Sequence, residues 1–393
     1  MSKILITSAI PYVNGVKHLG NLVGSLLPAD VHARFRRQIG DEVLFICGTD
    51  EHGTPAELGA IEAGEDVRGY CGSLLDPIDL IRPRSALSGN AQLELRESRH
   101  LFLRQSLLAD RLNDWVDSRY IQFLGKDNVP FHAVSFPATL LGSGEPWKTV
   151  DVIKGFHWLN YEGGKFSTSR RRGIFADAAL SELPAELWRW WLIANAPETS
   201  DTDFTVQRFA TDVNKDLGDV FGNLVNRLVR FAAQAFGGRV PVGGKSGERE
   251  QALAAEVGER VARLRQHHES LEFRRAAAET RAIWARANAY LQETAPWTAI
   301  NTDPDRAAVI TRTALNLVCL SAVLAWSIVP TLARTVLSAL GEDAAIPSWP
   351  TQPGSDLLQG ALAERPIGAI GPLVAKLADA DTARLFRRFA GDA

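Results

Sequence analysis

The chain has 393 residues and a net charge of −3, with 46% hydrophobic and 23% charged residues. That length suggests two or three domains with real cores, and no apolar run approaches the ~18–20 residues of a membrane span. The three cysteines (Cys47, Cys71, Cys319) are too few and scattered for a disulfide framework or a Cys-only zinc site, and the overall charge makes no chain-wide case for nucleic acid, although a local basic face would suffice.

In chain order, Lys3–Ser8 reads as a short apolar strand, a start that does not resemble a signal peptide, so a cytoplasmic protein is expected. Leu19–Ile39 has helical spacing, with Leu22, Leu26, Val31 and Phe35 recurring, and Val43–Cys47 is a second strand. Turn signals follow at Asp76-Pro77, Arg82-Pro83 and Ser88-Gly89-Asn90, then a helical pattern from Leu101 to Val116. Tyr120–Leu124 and Ile153–Asn160 are further strand candidates. Strands alternating with helices imply a largely parallel, doubly wound sheet. From about Asn214 the pattern is helical: Asp216–Phe236, Glu248–His268, Glu272–Gln292 and Arg306–Leu340 predict a bundle, broken at points such as Gly237-Gly238 and Ala295-Pro296. The Pro- and Gly-rich stretch from Ile346 to Pro372 predicts a tail that packs back or frays.

Five groups of residues carry chemistry. The run Ala9-Ile10-Pro11-Tyr12-Val13-Asn14-Gly15-Val16-Lys17-His18-Leu19-Gly20-Asn21 joins the first strand to the first helix. Such a junction offers backbone N–H groups and a positive helix end to polyphosphate, and an imidazole there can donate to a phosphoryl oxygen. Taken alone, His18-Leu19-Gly20-Asn21 also fits a glycine turn with a chance histidine. The second strand ends in Cys47-Gly48-Thr49-Asp50-Glu51-His52-Gly53, where a carboxylate at the C-terminal end of a parallel strand points into the ligand crevice; a capped turn fits equally well. Phe123-Leu124-Gly125-Lys126-Asp127-Asn128 through His132 is another strand-to-helix turn, and His132 alone reads as a packed core residue. Gly163-Gly164-Lys165-Phe166-Ser167-Thr168-Ser169-Arg170 has the makings of a loop that closes on a leaving pyrophosphate, with charge from Lys165 and Arg170–Arg172; for Arg171 and Arg172 a solvated basic turn is a fair reading. In the bundle, Asn223 and Arg227 share a helix face and Trp297 follows a proline, groups suited to reading and stacking unpaired bases, although taken alone they read as a surface polar pair and a packed tryptophan.

Together these segments resemble methionyl-tRNA synthetases, of the class I aminoacyl-tRNA synthetase type, internally shortened in the catalytic half. The first run is similar to the His-Ile-Gly-His signature, with Asn21 in place of the second histidine. Lys165–Ser169 stands where the family carries Lys-Met-Ser-Lys-Ser, with Thr168 replacing the second lysine. The resemblance implies a Rossmann-type nucleotide-binding α/β domain, incomplete here, followed by an all-α anticodon-binding bundle. It implies catalytic roles for His18, Asn21, Lys165, Ser167 and Ser169, and ATP binding by Asn14, Gly20, Asp127 and Lys165. Ile10, Tyr12, Asp50 and His132 would bind the amino acid, and Asn223, Arg227 and Trp297 the anticodon.

The implied division is 1–71 and 120–175 as the two halves of the catalytic domain, with 72–119 a remnant of a connective insertion. Residues 176–213 would be a linker, with Trp188, Trp190 and Trp191 as packing, followed by the anticodon-binding domain over 214–345 and a tail over 346–393. Partners implied are methionine, a methionine-accepting tRNA and ATP with Mg2+, in a monomer with no membrane association.

Family members carry a zinc knuckle after the position of Cys71, where this chain runs straight into Gly72-Ser73-Leu74-Leu75, so no structural zinc is expected. A second gap, at Ser118-Arg119-Tyr120, removes the strand and helix that build most of the methionine pocket. The loss of a central strand is expected to leave a hole in the sheet and exposed strand edges. The gaps leave two alternatives to a methionine–tRNA ligase: a paralogue activating another amino acid for a non-tRNA acceptor, and a non-catalytic tRNA-binding relic.

Overall fold

The computed structural model describes residues 1–9, 16–47, 60–61, 64–66, 115–167, 172–359 and 362–390. Strand β1 (Lys3–Ser8) lies between β2 (Glu42–Ile46) and β3 (Arg119–Gly125), and β3 pairs with β4 (Val152–Phe156), all in parallel. Ile4 and Ile6 of β1 and Ile121 and Phe123 of β3 are buried, as apolar residues alternating along strands covered by a helix must be. That cover is one helical run, α1, over 19–38, π-helical from Leu22 to Leu26, which buries Leu22, Leu26, Val31 and Phe35 as the spacing predicts.

The expected hole in the sheet is absent. Thr7 of β1 registers directly against Gln122 of β3, so the ladder β2-β1-β3-β4 is continuous. Exposed apolar surface lies elsewhere. Among the described residues β2 has β1 as its sole partner, and Ile46 at its end is exposed. The helical run over 131–142, α2, buries none of its residues and exposes Phe131, Val134, Phe136 and Leu141.

A second, two-stranded parallel sheet joins β5 (Leu159–Tyr161) to β6 (Thr202–Phe204). Between them lie α3 (Ala176–Glu182) and α4 (Ala185–Ala194), and α4 supplies Trp188, Trp190 and Trp191. All three indoles are buried as packing: Trp188 stacks on Phe209 with centroids 4.3 Å apart, and Trp190 on Trp284 at 4.7 Å.

The rest is a helix bundle. A helical run over 206–235 (α5) is followed by α6 (Glu248–Glu269), α7 (Phe273–Thr294) and the short α8 (Pro296–Ala299). Ala295, at φ 39°, turns the chain between α7 and α8. The stretch from Arg306 to Leu340 is two helices, α9 (Pro304–Ala325) and α10 (Pro330–Ala339). Pro330 has no N–H to continue a helix and keeps Val329 out of helical geometry, which accounts for the break. The expectation that no apolar run approaches a membrane span fails at α9, which is long and apolar enough to cross one, although its surface is almost wholly enclosed by the bundle.

The tail packs back rather than fraying. Trp349 meets Phe35 edge-on at 5.1 Å, Asn214 exchanges two hydrogen bonds with the backbone of Leu377, and the helix Asp379–Phe389 (α12) buries Leu385 and Phe389, after a short helix, Pro353–Leu358 (α11).

Candidate active site

His18 occupies the N-cap of α1 with extended backbone, φ −87° and ψ 164°. Its Nδ1 accepts from the Asn21 backbone N–H at 3.3 Å, while the Asn21 side-chain oxygen accepts from the His18 N–H at 3.2 Å. This reciprocal cap satisfies two donors that a helix start leaves open. It also decides the tautomer. With Nδ1 accepting, the proton of a neutral imidazole sits on Nε2, which faces away as a donor. Burial, and secondarily the Lys17 charge, lower the His18 pKa to about 4, so the ring is neutral at pH 7. Gly20 makes room: a Cβ there would stand 3.0 Å from His18 Nδ1 and Cε1.

The Lys165 segment docks on this histidine. The Phe166 ring stacks on the His18 ring at 4.6 Å and 14°, and Phe175 meets the imidazole edge-on at 6.3 Å. The Leu19 N–H donates to Ile174 O at 3.0 Å and the Ala176 N–H to Lys17 O at 2.8 Å, so the chain leaving the loop is tied to the chain entering α1. Two segments far apart in sequence thus form one surface around His18, Gly20, Asn21, Lys165 and Ser167. Lys126 follows β3 and carries its ammonium 4.1 Å from the Trp158 ring, while Lys165 Nζ lies 4.9 Å from the same ring. Beside Lys126 the Asp127 side chain is exposed, and its Oδ1 is so close to Gly125 that a Cβ there would stand 2.6 Å away.

A polar chain also links β1, β3 and the helical run after it. Thr7 Oγ1 lies 3.2 Å from Tyr120 Oη, Gln122 Nε2 donates to Tyr120 Oη at 2.5 Å, and His132 Nδ1 is 3.0 Å from Gln122 Oε1. His132 is therefore a hydrogen-bonded member of this chain, and burial lowers its pKa. Ile10, Tyr12, Asn14, Asp50, Thr168 and Ser169 lie outside the described residues, as does Cys71, on which the zinc expectation rests.

Sequence reasoning missed the contacts of Phe166, Phe175, Tyr120, Gln122 and Trp158, most of which join segments far apart in the chain. It also misjudged Arg172, which is no solvated turn cation: its guanidinium lies inside the hairpin, hydrogen-bonded to backbone carbonyls.

In the bundle, Arg227 carries its guanidinium carbon 4.7 Å from the Trp297 ring centroid, and Phe231 meets that indole edge-on at 6.3 Å. Asn223, one turn before Arg227, is exposed on the same face.

A parallel sheet entering a histidine-capped helix, with a lysine loop docked on that cap and a helical bundle behind, is the architecture of a class I aminoacyl-tRNA synthetase. Residues 4–71, 62–120 and 117–229 match the family model described as class I tRNA synthetases (M), and residues 240–393 match the anticodon binding domain of methionyl tRNA ligase. The chain belongs to the methionine–tRNA ligase family.

The methionine–tRNA ligases of Cereibacter sphaeroides (strain ATCC 17025 / ATH 2.4.3) and Caulobacter vibrioides (strain NA1000 / CB15N) are 37% and 38% identical to it, each over 100% of both chains. Those alignments run over 576 and 568 positions against 393 residues here, so the relatives carry internal stretches with no counterpart in this chain. The fold is similar to that of Mycobacterium tuberculosis methionyl-tRNA synthetase in complex with methionyl-adenylate. The TM-score is 0.76 at 19% identity, covering 95% of this chain and 99% of that one.

Proposed function

We propose that the chain is an ATP-dependent methionine–tRNA ligase, which activates methionine to methionyl-adenylate and passes the methionyl group to tRNA. The observation that carries this reading is the stack of Phe166 on His18, which joins both signature segments in one site within an end-to-end family match. A methionine carboxylate oxygen attacks the α-phosphorus, the bond from that phosphorus to the α,β-bridging oxygen breaks, and pyrophosphate leaves with that oxygen. A hydroxyl of the terminal adenosine of tRNA then attacks the acyl carbon and releases AMP. Neither step needs a covalent intermediate on the protein; positioning and charge stabilisation carry the catalysis.

His18 donates Nε2–H to a phosphoryl oxygen as charge builds there, and the Asn21 cap keeps that tautomer in place. Lys165, with Ser167 and Ser169, meets the departing pyrophosphate. Asn14, Gly20 and Asp127 hold the nucleotide, Asp127 at the adenosine. Asp50 pairs with the methionine ammonium, with Ile10, Tyr12 and His132 around the side chain. Among the described residues no group of three or more His, Cys, Asp or Glu could hold a metal ion, so Mg2+ would arrive on the ATP phosphates as part of the substrate.

In the bundle over 214–345, Asn223, Arg227 and Trp297 read the anticodon, the Trp297 face taking a base where Arg227 now lies. We read the protein as a cytoplasmic monomer.

The internal stretches found in the relatives and absent here favour a second reading, in which a reshaped pocket takes another amino acid. Amino-acid-dependent ATP–pyrophosphate exchange across the twenty amino acids, with His18→Ala as control, separates the two. Exchange with methionine alone, lost in the control, supports the ligase; exchange with a different amino acid selects the paralogue. No exchange, together with tRNA binding that depends on the anticodon, would overturn both and leave a tRNA-binding relic.

A further inference from the structure

Lys165 is held at both ends by residues outside the signature itself. Its backbone is fixed by Arg172: Nη1 donates to Lys165 O at 3.1 Å, while Nη2 donates to Tyr161 O at 3.0 Å and to Glu162 O at 3.1 Å. The turn between these acceptors has positive φ at Glu162 (46°) and Gly163 (72°), and across it Tyr161 and Gly164 exchange backbone hydrogen bonds, so Arg172 adds a second donor to the Tyr161 carbonyl. A planar guanidinium reaches several acceptors at once, whereas an ammonium has no such fork. The hairpin is shaped around it. A Cβ on Gly164 would fall 2.2 Å from Arg172 Nη1, and Ser167 and Arg172 exchange backbone hydrogen bonds at 3.0 and 2.9 Å. On the inner side, Gly173 (φ 120°) leaves room for the Phe166 ring that stacks on His18.

The other end of Lys165 rests on Trp158, whose indole it shares with Lys126. Lys126 is anchored in turn by Asp201 at 2.8 Å, and Asp201 accepts from the Trp158 backbone N–H at 3.0 Å. Asp201 thereby holds both Lys126 and the Trp158 backbone, and the indole face attracts an ammonium through the ring quadrupole.

We propose that Arg172 and Trp158 are positioning residues for adenylate formation. Arg172 sets the backbone from which Lys165 projects, and Trp158 sets where its ammonium waits before ATP arrives. This rests on the reading of Lys165 as the group that meets the pyrophosphate. Displacing such a group by an ångström through a change that touches no substrate lowers the rate by about 100-fold.

The test uses the full chain with Arg172→Ala, Arg172→Lys, Trp158→Leu, Trp158→Phe and Lys165→Ala. In methionine-dependent ATP–pyrophosphate exchange, Arg172→Ala is expected to lower kcat by about 100-fold with the methionine KM unchanged. Free guanidinium at millimolar concentration restores part of that activity, and Arg172→Lys does not. Trp158→Leu raises the KM for ATP, and Trp158→Phe recovers most of that change. A second measurement needs no activity: the rate of tryptic cleavage after Lys165, read by mass spectrometry, rises in Arg172→Ala.

Wild-type exchange and wild-type cleavage in Arg172→Ala would overturn the proposal, as would a loss that guanidinium does not relieve and that shifts the methionine KM equally. If Lys165→Ala exchanged like the wild type, the reading of Lys165 would fail and the proposal with it. If Lys165→Ala were inactive while the Arg172 and Trp158 variants were unaffected, the positioning proposal alone would fall. In a wild type without exchange, the cleavage rate decides.

Discussion

Helix α9 keeps Leu315, Leu317 and Leu324 wholly out of solvent, whereas the helical run over 131–142 buries none of its residues and leaves Phe131, Val134 and Leu141 in water. Both are apolar helices of one chain. The first lies in the bundle, where each helix finds neighbours on several sides; the second follows β3 in the sheet half, where its residues find no such cover. Burial of apolar surface is the main source of stability, at about 25 cal/mol per Å², so the two halves differ in how firmly they are held. The groups assigned to catalysis sit in the sparsely covered half, and stabilisation reaches them through contacts with the other.

The firmest of those contacts is a buried ion network, and breaking it should give the largest effect. Arg189 of α4 is completely buried; its Nη2 donates to Asp30 Oδ2 of α1 at 2.8 Å and its Nε to Ile328 O, in the break between α9 and α10, at 2.8 Å. Arg34 Nε shares Asp30 at 2.8 Å. Burial would raise the Asp30 pKa, but the two guanidinium groups outweigh it and hold the carboxyl below its ordinary value. Arg189→Ala leaves those partners short of a cation and should destabilise the protein by about 3–5 kcal/mol. Urea unfolding followed by circular dichroism checks this. A separate early transition confined to the sheet half would sharpen the comparison, and an unchanged midpoint would sink the idea that α4 ties the halves together.

Within the bundle the corresponding staple is Glu250, fully buried, which accepts from both Arg306 terminal nitrogens at 2.7 Å, from Tyr290 Oη at 2.8 Å and from the Gly247 N–H at 2.9 Å. Burial opposes the charge, yet these donors bring the carboxyl from 4.5 to about 2. The folded form therefore binds fewer protons than the unfolded chain across that window. Its contribution is complete above pH 4.5 and lost as the pH falls to about 2. Glu250→Gln should cost about 1.5–3 kcal/mol at neutral pH and flatten the dependence of stability on acid; the midpoint of urea unfolding against pH reads both.

Next in size is a separation of function between the halves. Trp297→Ala should weaken tRNA binding by about 1–3 kcal/mol, the worth of stacking one base on an aromatic ring. The loss should appear in filter binding and in tRNA charging but not in pyrophosphate exchange. An equal loss in exchange would mean that the anticodon face acts on the fold of the catalytic half rather than on tRNA.

Much of this was legible in the sequence where the signal was local. The strand, glycine and histidine spacing around His18 predicts a helix start, and α1 is there with His18 as its cap. The periodicity of residues 248–268 and 272–292 predicts α6 and α7 to within a residue or two. The failures are of another kind. A missing strand reads as a hole only if one assumes which strands are neighbours, and order along the chain does not reveal that β1 registers against β3. Arg172 reads as a solvated cation because its three acceptors belong to residues across a hairpin. The stack of Phe166 on His18 joins segments whose proximity only the folded chain creates.

The smallest expected effect concerns His18 and the acid limb of the reaction. A free histidine titrates near 6.5, and a mechanism that needed its proton to move would show an inflection there. Here burial holds the pKa at about 4, and the cap from Asn21 already commits Nδ1 as an acceptor. The imidazole is a fixed Nε2–H donor across neutral pH, so kcat/KM for ATP in the exchange reaction should be flat from about pH 5.5 to 7.5, since that ratio reports groups of the free enzyme. The first inflection belongs on the alkaline side, where burial lowers the Lys17 pKa to about 8 and the charge beside the imidazole is lost. Lys17→Arg should remove that alkaline limb and leave the neutral plateau, because guanidinium keeps its charge throughout this range. An inflection near 6.5 that disappears in His18→Gln would show instead that the ring exchanges its proton during turnover.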